Sequence, residues 1–382
     1  MFQHILSLLG EFKAYNRFFS KDFAPCRQLV FFSESAIYYQ TFEPFIIELL
    51  KNPSIQFSYL TNDPKDPILT HHHERLHPFY FDLCLKSVMD RIDASCFVWT
   101  APDLNSTQVR AFRKSKKVKS YLYLFHAFSS THLQYNETAF DAYDVIFCVG
   151  PHHTEEIKKR EQVYALPAKQ LLPVGYPRID VVYQKFQHYT PKFPEQTTVL
   201  VAPTWGPGNL MEQGIDSLID TLKSADYRVV VRPHPEFLKR CPDRAQQIKQ
   251  KVQTLPHFVW EDHLLTEDNV YEAAVCITDR SGIAFEYAFG TERPVIFIET
   301  PPKEFNPNWR ALELEPIELQ LRRSIGIPIT LHAIPQLVPI LQDIINHADD
   351  WKQTLQSLRQ RHVYHPNQSA RTGADYILSQ LQ

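Results

Sequence analysis

Apolar, β-branched runs of four to six residues recur along the chain, and between several of them the apolar positions fall at helical spacing. In the first half, runs at 28–32 (QLVFF), 57–60, 96–100, 120–125, 144–149 and 171–174 predict buried strands. A polar, proline-bearing stretch at 187–198 interrupts the pattern, which restarts with runs at 198–202, 227–231, 258–260, 275–278 and 295–298. Helices are predicted over 37–50, 215–222, 283–289, 334–358 and 370–381. Strands alternating with helices twice over predict an α/β protein of two doubly wound parallel sheets facing a central cleft. The boundary is expected at 187/188.

Composition narrows the picture. A length of 382 residues suits two cores rather than one. Forty basic residues against 43 acidic ones leave a net charge of -3, so nothing global favours nucleic acid. Cys26, Cys84, Cys96, Cys148, Cys241 and Cys276 show no close pairing, which predicts reduced core thiols in a cytoplasmic protein. No stretch reaches the roughly 20 apolar residues of a membrane span. The N-terminus does not read as a cleaved signal, because Glu11, Lys13 and Arg17 interrupt it.

Residues 2–19 set Phe2, Ile5, Leu6, Leu9, Phe12 and Phe19 against His4, Glu11 and Lys13. That amphipathic face is expected to pack on its own domain, with contact to a membrane surface as the alternative. The tract His71, His72, His73 and His77 lacks metal-site spacing and is expected to be a solvated loop or helix start. Residues 113–119 hold five cations, either a solvated face or a greeting for an anionic substrate or lipid surface.

Candidate chemistry collects where predicted strands end. The stretch 273–299 reads as a βαβ unit whose first turn is Thr278-Asp279-Arg280-Ser281-Gly282, an anion-friendly corner at a helix N-terminus. Glu286 is the one carboxylate on the otherwise apolar helix that follows. It either bonds a hydroxyl-bearing ligand or is a paired structural charge. His126 follows the run 120–125, ahead of Ser129 and Ser130, and is expected to titrate near neutrality and move a proton. Gly175-Tyr176-Pro177-Arg178 is a rigid turn carrying a cation. Pro203-Thr204-Trp205-Gly206 is a second anion-friendly corner, and Arg232-Pro233-His234-Pro235 locks an imidazole between prolines where it suits charge stabilisation on a phosphate.

These motifs, His126 after a strand, GYPRID at 175–180, APTW at 202–205, RPHP at 232–235 and TDRSGIAFEYA at 278–288, occur in an order that resembles the CDP-glycerol glycerophosphotransferase family of teichoic-acid and capsule enzymes. The resemblance spans about residues 95–300. It implies a GT-B-like fold of two Rossmann-like domains: an acceptor-side domain at 1–187, a nucleotide-donor domain at 188–360, and a closing helix at 361–382 that packs back on the first. It also implies transfer of a polyol phosphate from a CDP-activated donor to a hydroxyl of a surface-glycan or lipid-linked acceptor, with release of CMP. His126 would be the base and His234 would steady the donor's pyrophosphate. Thr204, Arg232, Thr278, Asp279, Arg280, Ser281, Gly282 and Glu286 would lie on the donor, and Arg178, Ser129 and Ser130 on the hinge and acceptor side. No cofactor or metal is called for, since cations and a helix N-terminus can meet the phosphate charge.

The sequence departs from the family at three places. Ala127 stands where Gly is usual, TDRSG replaces the common SDYSS, and Glu286 stands where Asp is frequent. The last two put the identity of the donor in question. The shortness of the chain leads to the expectation of single addition rather than polymerisation, on the cytoplasmic face of the membrane and in peripheral contact with it. A nucleotide-sugar glycosyltransferase and a non-catalytic nucleotide- or glycan-binding protein are the alternatives.

Overall fold

A computed structural model describes residues 2–105, 113–262 and 267–381; the side chains of residues 2–7 lie outside the description. The chain divides into two compact units. The first comprises Met1–Arg178, Asn306–Leu314 and Val363–Gln382, and the second Ile179–Phe305 and Glu315–His362.

The sheet of the first unit is built from β1 (Leu29–Ser33), β2 (Phe57–Thr61), β3 (Leu76–Tyr80), β4 (Ala94–Trp99), β5 (Val118–Leu124), β6 (Val145–Cys148) and β7 (Gln170–Pro173). Their order is β3-β2-β1-β4-β5-β6-β7, with every neighbouring pair parallel. The second unit repeats the plan with β8 (Thr198–Val201), β9 (Arg228–Val231), β10 (Phe258–Trp260), β11 (Ala273–Thr278), β12 (Val295–Glu299) and β13 (Gly326–Thr330), ordered β10-β9-β8-β11-β12-β13 and again parallel. In each sheet the winding reverses once, between β1 and β4 and between β8 and β11. At such a point the loops leaving adjacent strands diverge and open a crevice at the carboxyl ends.

Helices cover these sheets, so the inner strands are buried along their whole length, as for β1, β2, β4 and β8. The helix Ile283–Thr291 buries Phe285, Tyr287, Ala288 and Phe289, and the Tyr287 hydroxyl donates to the Ala273 carbonyl at 2.7 Å. In the first unit the helix Ser369–Ser379 lies on the helix Tyr39–Leu50, where Ala374 and Ile377 join the core around Phe45 and Phe147. The same closing segment seats against Gly175 (φ 99°), where a Cβ would collide with the Tyr364 carbonyl and the Ser369 hydroxyl. Glycine is therefore needed there for both backbone angle and space.

Three expectations are corrected. The N-terminal helix Phe2–Phe18 packs through Phe18 and through Glu11, a residue assigned to the solvent face: Glu11 is buried and accepts from the backbone N–H groups of Asp82 and Cys84, both at 3.0 Å. Leu8, Leu9 and Phe12 are instead 49%, 54% and 58% exposed. The side chains of Phe2, His4, Ile5 and Leu6 lie outside the described residues. His77 belongs to the edge strand β3 rather than to a loop. The single helix expected at 334–358 is a 3-10 turn followed by two helices, Leu337–Asn346 and Ala348–His362.

Candidate functional site

In the second unit the loops leaving β8, β9, β11 and β12 form one polar corner. Asp279, fully buried just past β11, accepts from the backbone N–H of Thr204 at 2.7 Å through one oxygen and of Leu210 at 2.8 Å through the other. Thr278 donates its hydroxyl to the Ala202 carbonyl at 2.7 Å. Both side chains thus hold the loop 202–210, and Asp279 acts on any ligand through the loop it fixes. Gly206 (φ 112°) makes the bend that brings Trp205 round.

Arg280 turns toward β12, donating to Glu299 at 3.2 Å and to the Thr300 carbonyl at 2.9 Å. Arg322 grips the other Glu299 oxygen at 2.8 Å and the Asp279 carbonyl at 2.9 Å. Arg232 is buried with its guanidinium 3.7 Å from Glu261. These three guanidiniums brace the corner. The Ser281 hydroxyl makes no hydrogen bond among the described residues, and Gly282 caps the helix Ile283–Thr291 without a side chain. Hydroxyl and helix N-terminus are therefore both available to an anion. Glu286 lies half-buried one turn further on.

His234 caps the short helix Pro235–Arg240: its Nδ1 accepts the backbone N–H of Glu236 at 3.1 Å. The neutral ring therefore carries its proton on Nε2. Burial, with help from the Lys303 ammonium, pushes the imidazole down to about 4, against the opposing pull of Glu236. Any steadying of a phosphate by His234 therefore comes from a neutral N–H donor rather than from a positive charge, because a proton on Nδ1 would also break the cap. Lys303, which the sequence reading passed over in a proline-rich loop, lies with its ammonium 4.3 Å from the centre of the Trp205 ring, 5.1 Å from that of Phe305 and 3.5 Å from the Thr204 hydroxyl. Burial pushes it down to about 8, although the Asp279 carboxylate pulls the other way.

In the first unit His126 stands just past β5, its ring 5.0 Å from Tyr38 and 6.3 Å from Tyr135. Nδ1 donates to the Thr100 carbonyl at 3.2 Å, which leaves the lone pair on Nε2. Burial pushes this ring also down to about 4, correcting the expected titration near neutrality. A network missed in the sequence holds the loop after it. His153 donates through Nε2 to the Ser129 carbonyl at 2.8 Å, and Glu156 accepts from both the N–H and the hydroxyl of Thr131 at 2.6 Å. Both come from the helix Pro151–Val163, and Pro at its first turn, followed by acidic residues, was the available signal. Ser130 is buried, and Arg178 is half-buried in the first turn of the helix Pro177–Gln187.

Among the described residues no group of three or more His, Cys, Asp or Glu side chains is arranged to hold a metal ion, and no helix is long and apolar enough to cross a membrane. The described cysteines are all free.

Two doubly wound parallel units with polar corners at their strand ends define a GT-B-like α/β protein. By its match over residues 91–318, the chain belongs to the family described as CDP-Glycerol:Poly(glycerophosphate) glycerophosphotransferase. It is 25% identical over 247 residues to the teichoic acid ribitol-phosphate primase of Bacillus spizizenii, covering 60% of this chain and 57% of that protein. The chain thus spans less than two thirds of that relative. Its fold is similar to that of the wall teichoic acid polymerase TagF in a structure soaked with CDPG (TM-score 0.62, 14% identity, covering 100% of this chain and 96% of the other). It is also similar in fold to UDP-GlcNAc 2-epimerase from Neisseria meningitidis bound to UDP-GlcNAc (TM-score 0.59, 11% identity, covering 92% and 99%).

Proposed function

We propose that the protein transfers glycerol phosphate, or a closely similar polyol phosphate, from a CDP-activated donor to a hydroxyl of a glycan or lipid-linked acceptor in teichoic-acid-type synthesis. The observation that carries this reading is the opposite tautomers of the two histidines: His126 keeps Nε2 as a lone pair, and His234 keeps Nε2 as a donor. The first unit would hold the acceptor and the second the donor. His126 Nε2 takes the acceptor's hydroxyl proton as the oxygen attacks the phosphorus that bears the polyol. The bond from that phosphorus to the bridging oxygen breaks, CMP departs with the electron pair, and His234 Nε2–H donates to the departing phosphate. Ser281 and the N–H groups opening the helix Ile283–Thr291 meet the remaining phosphate oxygens. Arg178, Ser129 and Ser130 would shape the acceptor side.

Incubation with CDP-glycerol and a lipid-linked glycan primer is expected to release CMP, and His126→Ala to lower kcat by about 10²- to 10⁴-fold. A panel of CDP-polyols and nucleotide sugars separates this activity from glycosyl transfer, which would release a nucleoside diphosphate. Absence of any product would favour a binding protein. We further infer a cytoplasmic location in peripheral contact with the membrane, supported by the exposed Leu8, Leu9 and Phe12 beside Lys13 and Arg17. Sedimentation with anionic vesicles tests it, and Phe12→Glu should abolish it.

A further inference from the structure

Four guanidiniums belong to the corner in the second unit, and each has a carboxylate beside it. Arg280 and Arg322 share Glu299, Arg232 lies by Glu261, and Arg240 pairs with Glu236 at 2.7 Å. His234 is neutral because burial, helped by the Lys303 ammonium, pushes its imidazole down to about 4, and its Nδ1 is occupied by the helix cap. Two phosphates entering this corner nevertheless bring negative charge that hydroxyls and N–H groups offset only in part.

We propose that Lys303 is the residue that carries the positive charge against the donor's diphosphate, with Trp205 as the platform that holds its ammonium in place. The inference rests on the donor reading above and adds to it a binding residue that none of the recognised motifs contains. Three observations support it. Lys303 reaches the corner from the loop after β12 and touches the loop after β8, with Nζ 3.5 Å from the hydroxyl of Thr204. Its position over the Trp205 ring at 4.3 Å, with Phe305 on a further side at 5.1 Å, restricts a flexible side chain and so lowers the entropy lost on binding. The carboxylate that pulls its titration upward, Asp279, already accepts two backbone N–H groups and is fixed in place.

One consequence is specific to a charge role. Burial holds the free ammonium near 8, so an arriving diphosphate should raise that value and draw a proton from solution in mildly alkaline buffer. Calorimetric titration of the full chain with CDP-glycerol, CDP, inorganic pyrophosphate and cytidine at pH 8.5, in two buffers of different ionisation heat, measures both affinity and proton uptake. For the wild type, uptake of a fraction of a proton is expected with each diphosphate and none with cytidine. Lys303→Met should weaken the diphosphates roughly 10- to 100-fold, leave cytidine within about twofold, and abolish the uptake. Lys303→Arg should keep affinity without uptake.

Wild-type affinity for diphosphates in Lys303→Met, or an equal loss for cytidine, would overturn the assignment. A matching thermal melt for the two proteins excludes misfolding as the cause of a loss. Should pyrophosphate bind through Lys303 while CDP-glycerol does not bind, the transferase reading falls and Lys303 stands. Binding of no diphosphate by the wild type would overturn both.

Discussion

The backbone N–H of Glu236 donates to Nδ1 of His234 at 3.1 Å, so one imidazole both starts a helix and keeps its ring proton on Nε2. The two roles can be separated by substitution. Asn is a strong helix cap, so His234→Asn should melt close to the wild type yet lose most of its turnover. His234→Ala should lose turnover and about 1 kcal/mol of stability as well. Urea melts combined with a CMP-release assay distinguish them; equal turnover by His234→Asn and wild type would remove His234 from the chemistry.

Asp279 braces the loop 202–210. It satisfies two buried N–H groups, and Asp279→Ala leaves both without their acceptor, at a cost of about 2–5 kcal/mol. The variant should melt lower and show a raised donor KM, because the loop that carries Thr204 and Trp205 loses its clamp. An unchanged melting temperature would contradict the bracing role.

The rate profile with pH follows from three groups. His126 must be neutral to accept a proton and His234 neutral to keep its cap, and both are pushed down to about 4. As pH falls toward 4, kcat/KM should therefore drop with a slope steeper than one. Lys303, down to about 8, must be protonated to meet a phosphate, so kcat/KM should fall again as pH rises through 8. Lys303→Arg should shift that alkaline limb upward and leave the acid limb in place.

His153 should make its own contribution to the acid dependence of stability. His153 is fully buried, donates to Ser129, and is pushed down to about 4 from an ordinary value near 6.5, chiefly by burial. Its folded-state value is depressed, so between 6.5 and 4 the unfolded chain binds more protons than the folded one. The part of the stability that His153 contributes is lost as pH falls across that window and is constant above it, by on the order of 3 kcal/mol when fully expressed. Urea midpoints at pH 7 and pH 4.5 measure the loss, and His153→Gln should reduce the difference between them.

Most of the sheet architecture was legible because inner parallel strands are continuous apolar runs, as at 57–60 and 275–278. The strands missed, Leu76–Tyr80 and Gly326–Thr330, both lie at sheet edges and both contain a proline, Pro78 opposite Tyr59 and Pro328 opposite Phe297. A proline weakens the strand signal, and only an edge tolerates it. Prolines misled in the other sense as well. Pro177 and Pro235 read as turn residues, yet each opens a helix, where its fixed φ helps and its missing N–H costs nothing. The polar corners could be placed from strand ends, whereas the tautomers could not, since they depend on a carbonyl at Thr100 and an amide at Glu236. Lys303 escaped notice because its loop has no periodicity, and its place over Trp205 is a long-range contact.

The seating of Val363–Gln382 against Gly175 and Phe45 bears on how the protein is made. A ribosome delivers β1 to β7 first, then the whole second unit, and only afterwards the helix that covers Phe45 and Phe147. The earliest-synthesised sheet is thus the last to be sealed, and until then an aromatic surface stays uncovered on a nascent chain. Premature termination anywhere downstream of the second unit would leave that surface open, making such fragments substrates for chaperones and proteases rather than partly working enzymes.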